Sequence, residues 1–448
     1  MPELFRIFLA GQDDVAISRL LDRRLGGSTA DEKSRASGAS LREKTMATVR
    51  EVVEAVRLDG DRALLRFTAR FDGVQLKSEN LRVSPEEIDA AWRGADPAFL
   101  DALRLAKERI ERFHRRQLRS SWFAAEEDGT ILGQQYTPLR RVGVYTPGGT
   151  AAYPSSVLMN VIPAQVAGVE EICLVTPPGG DGRVNPAVLA AAREVGVDEI
   201  YRVGGAQAVA ALAFGTRSIP RVDKIVGPGN LYVALAKRLV FGEVGIDMLA
   251  GPSEIAIIAD ATARAGYVAA DLLSQAEHDP QAAAILITTS RKLAEEVGAE
   301  LLRQLAVLPR REKAEQAVRG AGGCIVVNSV AEAVELANRC APEHLELMVA
   351  EPFTWLGRIR NAGAIFLGPM APEPIGDYVA GTNHVLPTNA TAWFASGLGV
   401  EDFLKRTSVI ATTSEAIRRL GPAAIRLAEE EGLDAHARAV KVRLDGME

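Results

Sequence analysis

Cysteine is scarce in this chain. Its 448 residues hold three, Cys173, Cys324 and Cys340, each in or beside an apolar run and none in C-x-x-C spacing. That pattern excludes a disulfide framework and a thiolate metal site, and it fits buried thiols in a reducing compartment. Net positive charge is missing too. A balance of −6 argues against nucleic-acid or anionic-membrane partners. The local basic runs Arg112–Arg119 and Arg310–Lys313 fall in helix-like text and read as solvated faces. No apolar run approaches the roughly 18 to 20 residues of a membrane span. The first ten residues lack the basic stretch and cleavage pattern of a signal peptide. The expected location is the cytoplasm.

What is present is a globular composition, 47% hydrophobic and 25% charged, on a chain too long for one ordinary core. Residues from about 40 to 115 read as helical: Thr45–Val56 has apolar positions at helical spacing, Ser84-Pro-Glu-Glu87 is an N-cap signal, and a long amphipathic helix is expected over roughly Pro97–Arg116. From Arg141 onward, short apolar strands alternate with helices, with strands expected at 141–145, 172–176, 200–203 and 222–226. A second set follows Gly251-Pro-Ser253, at 254–258, 283–288, 324–327, 345–349 and 364–367. Such alternation predicts βαβ units and parallel sheets covered on both faces. The expected fold is α/β: two tandem Rossmann-like domains with parallel sheets, plus small helical N- and C-terminal arms. The divisions expected are 1–30 for the N-terminal arm, 31–140 with 253–398 for a discontinuous catalytic and metal-binding domain, 141–252 for a nucleotide-binding domain, and 399–448 for the tail. The tail is expected to be helical through Asp402–Arg406, Ser414–Leu420 and Pro422–Glu430. It is too short for a large core of its own, so it must pack on the body or on a partner subunit.

Three features carry chemistry. Strand-then-glycine loops occur at Tyr145-Thr-Pro-Gly-Gly149, Val203-Gly-Gly-Ala-Gln207 and Val226-Gly-Pro-Gly-Asn230. None completes the G-x-G-x-x-G fingerprint, so pattern alone leaves ordinary βα turns and a phosphate-binding crevice both open. Polar Tyr145, Gln207 and Asn230 stand in these loops. The second feature is Ala341-Pro-Glu-His344, an acid and an imidazole on a proline-bounded turn, where a structural hydrogen bond and a catalytic pair are both possible. The third is a scattered set: Gln275 and His278 one helical turn apart, Asp377 in a glycine-containing loop that runs on to His384, and His436 closing the tail. Imidazoles, a carboxylate and an amide would suit a borderline divalent ion such as zinc, although no spacing among them is diagnostic.

Longer motifs sharpen this reading. Tyr145-Thr-Pro-Gly-Gly-Thr-Ala-Ala-Tyr-Pro-Ser-Ser156, Gly227-Pro-Gly-Asn230, Ala250-Gly-Pro-Ser-Glu254, Gln275-Ala-Glu-His278, Ala341-Pro-Glu-His344, Gly381-Thr-Asn-His384 and Glu431-Gly-Leu-Asp-Ala-His436 occur in that order. With them the chain, from about residue 45 to its end, resembles the histidinol dehydrogenase family. The resemblance implies NAD-dependent oxidation of L-histidinol through an aldehyde to L-histidine, with zinc bound by Gln275, His278, Asp377 and His436. It implies substrate contacts from Ser253, Gln275, His278, His344, Asp377, Glu431 and His436, NAD contacts from Tyr145, Gln207 and Asn230, and Glu343 and His344 as the bases. It also implies a homodimer whose C-terminal tails reach into each other's sites. The chain departs from the usual glycine-rich text at Asn389-Ala-Thr-Ala-Trp393. Weighed against this are a related dehydrogenase of another small polar alcohol and a non-catalytic metal-binding relic.

Overall fold

The computed structural model describes residues 4–22, 32–148 and 152–447. The expected end of the N-terminal arm, 25–28, and residues 149–150 of the first glycine loop lie outside the described residues.

Two parallel sheets organise the fold. The first has six strands in the order Ile7–Leu9, Gly323–Val326, Ala283–Thr288, Glu254–Ala259, His344–Met348 and Ala364–Leu367. Its two central strands are wholly buried, as near-continuous Ala/Ile/Leu text requires of a sheet covered on both faces. Alternation along the strand sends Ile255, Ile257 and Ala259 into one core and Ala256 and Ile258 into the opposite one. The second sheet runs Ile200–Arg202, Glu171–Thr176, Arg141–Tyr145, Lys224–Val226, Gly245–Ile246, again all parallel. Both sheets match the α/β expectation.

The arms differ from the purely helical text expected. Residues Ile7–Leu9 add an edge strand to the first sheet before the helix Asp14–Leu21 begins. At the other end, Asp402–Arg406 is not an α-helix. A short 3₁₀ turn, Val400–Phe403, leads into the strand Leu404–Ala411. That strand pairs antiparallel with Ile131–Pro138, which also pairs with Trp122–Ala125. The β-branched Thr407 and Val409-Ile410 favour this extended form, and the partner strand supplies the hydrogen bonds.

The helical text before Arg141 packs on the second sheet. Val49, Val52, Val56, Leu64 and Phe67 share a core with Tyr145, Val203 and Leu212, while Leu103 and Ile110 share one with Val142 and Val144. The core of Leu103 and Ile110 also takes in Val385 and Leu398 of the segment 253–398. No helix of the described residues is long and apolar enough to cross a membrane.

Candidate active site

The acid–imidazole turn sits where three backbone devices meet. The helix Val330–Cys340 stops because Ala341 turns left-handed (φ 48°) and Pro342 follows. The chain then enters the strand at His344, level with Ile255 and Ala364 on its two neighbours. The site therefore lies at the amino edge of the first sheet. The helix Ala265–Ala276 runs back to the same edge and brings Gln275 and His278 with it.

Within this edge the Glu343 Oε2 accepts the N–H of Glu254 at 2.9 Å. The His344 Nδ1 lies 3.1 Å from the carbonyl of the same Glu254 and 3.8 Å from Glu343 Oε2. Because a carbonyl only accepts, Nδ1 carries the hydrogen in either charge state, and in the neutral ring Nε2 holds the lone pair. That Nε2 has no aligned hydrogen-bond partner and stands 3.4 Å from Asp377 Oδ1. Burial pushes the Glu343 carboxyl up to about 8, against the pull of His344. Burial alone would lower His344, but the charges of Glu343 and Asp377 win and raise it to about 10. Burial would likewise raise Asp377, yet His344 beside it holds that carboxyl down at about 2.

Around this pair, the Ser253 Oγ lies 3.4 Å from His278 Nδ1, and His278 also feels the charges of Asp377 and His344. Gln275 is fully buried, and neither its amide oxygen nor its nitrogen is hydrogen-bonded. A buried bare amide is costly and invites a ligand. His344, Glu373 and Asp377 offer donor atoms all within 4.8 Å of one another. His384 bridges toward the second sheet: its Nδ1 is 3.0 Å from the Asp377 carbonyl and its Nε2 3.3 Å from the Ser156 hydroxyl.

The glycine loops converge on the carboxyl edge of the second sheet. The Tyr145 hydroxyl oxygen accepts the Gly205 N–H at 3.1 Å, and Gln207 Nε2 donates to Asp72 Oδ2 at 3.2 Å. Asn230 caps the helix Leu231–Val240 by accepting from the N–H groups of Tyr232 and Val233. Gly227 turns at φ 110° because any side chain there would strike the Tyr145 carbonyl. Both polar groups of Gly227 are held by one buried ion pair: Lys237 Nζ donates to its carbonyl at 3.0 Å, and Asp247 Oδ2 accepts its N–H at 2.7 Å.

Ser253, Gln275, His278, Glu343, His344 and Asp377 thus gather on one sheet edge, and Tyr145, Gln207 and Asn230 on the edge of the other. Glu431 and His436 do not join them. Both are exposed, on a helical hairpin whose Gly421 packs against Val440 and Leu444. No hydrogen bond or ion pair among the described residues ties them to His344. Three residues of these sites were missed in the sequence. Glu254 was quoted only as the end of a motif, and Glu373 was hidden between Pro372 and Pro374, although an acid inside an apolar, proline-flanked stretch is itself a signal. Asp72 follows a helix end and carried no pattern.

A two-sheet α/β fold with an acid–imidazole pair on one sheet edge and glycine loops on the other has the parts an oxidoreductase needs, a proton acceptor and a crevice for a dinucleotide. The histidinol dehydrogenase family profile matches residues 35–444. Histidinol dehydrogenase of Synechococcus sp. is 56% identical over 402 residues, covering 90% of this chain and 93% of that one. The Moorella thermoacetica enzyme of the same name is 57% identical over 412 residues, covering 92% and 97%. The crystal structure of histidinol dehydrogenase from Elizabethkingia anophelis aligns with a TM-score of 0.91 at 37% identity, over 100% of this chain and 99% of that one. The chain belongs to the histidinol dehydrogenase family.

Proposed function

We propose that the enzyme oxidises L-histidinol twice in one site, through L-histidinaldehyde to L-histidine, as the closing steps of histidine biosynthesis. The observation that carries this reading is the His344 ring, fixed by the Glu254 carbonyl with its free Nε2 facing Asp377 and with Glu343 alongside. The first oxidation converts R–CH₂OH to R–CHO with loss of a hydride and a proton. His344 Nε2 takes the hydroxyl proton as the carbinol C–H bond breaks. An aldehyde has no ionisable hydroxyl beside its C–H, so water must add before a second hydride can leave. Glu343 takes the proton from that water, and His344 takes one from the hydrate as the acid forms. Each base contributes roughly 10²- to 10⁴-fold.

Bound NAD supplies the hydride acceptor, once for each oxidation. The polar atoms of Tyr145 and Gln207 at the carboxyl edge fit such a ligand, and the buried Gln207 Oε1 has no hydrogen-bond partner. A divalent cation, zinc in this reading, also fits. The bare amide of Gln275, the His278 ring and the Asp377 carboxylate form the mixed N/O set a borderline ion prefers. When bound, it would hold the substrate's imidazole and amine and, by claiming Asp377, draw His344 back toward neutrality.

The exposed hairpin bearing Glu431 and His436 completes the proposal. In a homodimer with exchanged tails, these two residues would serve the partner's site, His436 as a further cation ligand and Glu431 against the substrate amine. Chelation tests the cation. Dialysis against a strong chelator is expected to abolish histidinol oxidation, with stoichiometric zinc restoring it. Full activity in a metal-free preparation would overturn the cation's role.

A further inference from the structure

We propose that Asp72 sets the choice of dinucleotide, accepting a hydrogen bond from an unphosphorylated ribose and rejecting a phosphorylated one. The inference rests on the reading that NAD occupies the carboxyl edge of the second sheet.

Asp72 lies at that edge, immediately after the helix Asp61–Phe71. Its own helix gives no reason for a carboxylate there. The last turn is the negative end of the helix dipole, where an anion is unfavourable, and the Asp72 backbone N–H already closes the helix on the Thr68 carbonyl. The carboxylate is also more than half buried, which pushes it up to about 6. Among the described residues it has no ion-pair partner. Its one side-chain hydrogen bond comes from Gln207 Nε2, at 3.2 Å. A partly buried anion with no cation costs stability without structural return, which is the signature of a group kept for a ligand.

Its neighbours say what kind of ligand. Gln207 is 1% exposed. Because its Nε2 serves Asp72, its Oε1 is turned away from that carboxylate and has no partner. A β-carbon at Gly205, which sits at φ +65°, would lie 2.7 Å from that Oε1, so only glycine leaves the oxygen clear. The Tyr145 oxygen is occupied as an acceptor by the Gly205 N–H, so its own hydrogen remains to be donated. Around Gln207 the crevice therefore presents two acceptors, Asp72 and Gln207 Oε1, and one hydroxyl donor, Tyr145. Such a set binds hydroxyl or amino groups. A phosphate placed against Asp72 would meet an unneutralised carboxylate. Acid-to-ribose pairing is the usual device for selecting NAD over NADP in α/β folds, where the acid follows a strand. Here it is supplied from a helix end outside the βαβ unit.

Full-length wild type and the variants Asp72→Asn and Asp72→Ser are compared in steady-state histidinol oxidation with NAD and with NADP. Asn keeps an oxygen for Gln207 and removes only the charge; Ser removes both. The ratio of kcat/KM for NADP to that for NAD is expected to rise at least tenfold in both variants. The change should fall in the dinucleotide KM, with the histidinol KM and the melting temperature not lowered. Wild type active with NAD, and variants whose ratio stays within twofold of it, would overturn this inference alone. Wild type that reduces neither dinucleotide would overturn the reading of the crevice and the inference with it.

Discussion

At the scale of single residues, the proposed reaction divides two proton transfers between the neighbours Glu343 and His344. Glu343→Gln keeps an oxygen for the Glu254 N–H but cannot take a proton from water. It is expected to slow histidinaldehyde oxidation by about 10²- to 10⁴-fold while slowing the alcohol step far less. Equal losses in the two half-reactions, measured with each substrate supplied separately, would refute the division. Asp72 carries a pH signature. Burial lifts its carboxyl to about 6, so the ionised form prevails above that pH. The KM for NAD is expected to climb as pH falls through about 6; Tyr145, the other titrating group facing it, is pushed up to about 12 and stays silent there. For stability the sign is opposite. A raised carboxyl contributes fully below its unfolded value and loses that contribution as pH rises through about 6. Asp72→Asn should therefore raise the melting temperature at pH 8 and not at pH 4. Ala390 carries a different cost. Its left-handed backbone (φ 58°) penalises any β-carbon, and it falls within the stretch where the chain departs from glycine-rich text. Ala390→Gly should gain up to about 1 kcal/mol in denaturant titration, the relief being partly offset by glycine's greater unfolded entropy.

At the scale of elements, the loop Val226–Asn230 is held by a device that no sequence pattern announces. Lys237 and Asp247 are both buried, and together they bind the carbonyl and the N–H of Gly227. Lys237→Met leaves Asp247 charged and alone and is expected to cost about 3–5 kcal/mol in chemical denaturation. A loss under 1 kcal/mol would mean water replaces the ammonium. The parallel strands were legible because buried βαβ text is both apolar and periodic: 283–288 and 364–367 were expected with the bounds observed. The antiparallel strands were not. Trp122–Ala125 is exposed along its length and Leu404–Ala411 has no buried residue, so neither shows the inside–outside alternation that marks a strand. The pairing of Leu404–Ala411 is set by contact with Ile131–Pro138, more than 250 residues away in the chain, and local propensity is blind to that.

At the scale of the whole molecule, the two sheets face their tasks from opposite ends. The acid–imidazole centre lies at the amino edge of one, the glycine loops at the carboxyl edge of the other. His384 joins the Asp377 segment to Ser156 on the first helix of the second sheet. The residue types of the site were readable in the text, since Glu343, His344 and Asp377 stand in punctuated loops. Their juxtaposition with Glu254 and Glu373 was not, because it depends on strand register. The tail remains unpaired with the site within one chain. Mixing an inactive His344→Asn subunit with an inactive His436→Asn subunit is therefore expected to restore about a quarter of wild-type activity in a random dimer mixture, through one intact composite site per heterodimer; no recovery would place His436 in its own subunit's site. The most direct test of the central claim is the yield of NADH per histidinol, with excess NAD and an aldehyde-trapping hydrazide in solution. Two NADH and one histidine per histidinol, with no trapped aldehyde, is the outcome predicted for one site that oxidises twice. One NADH per histidinol with the aldehyde recovered on the trap would contradict it.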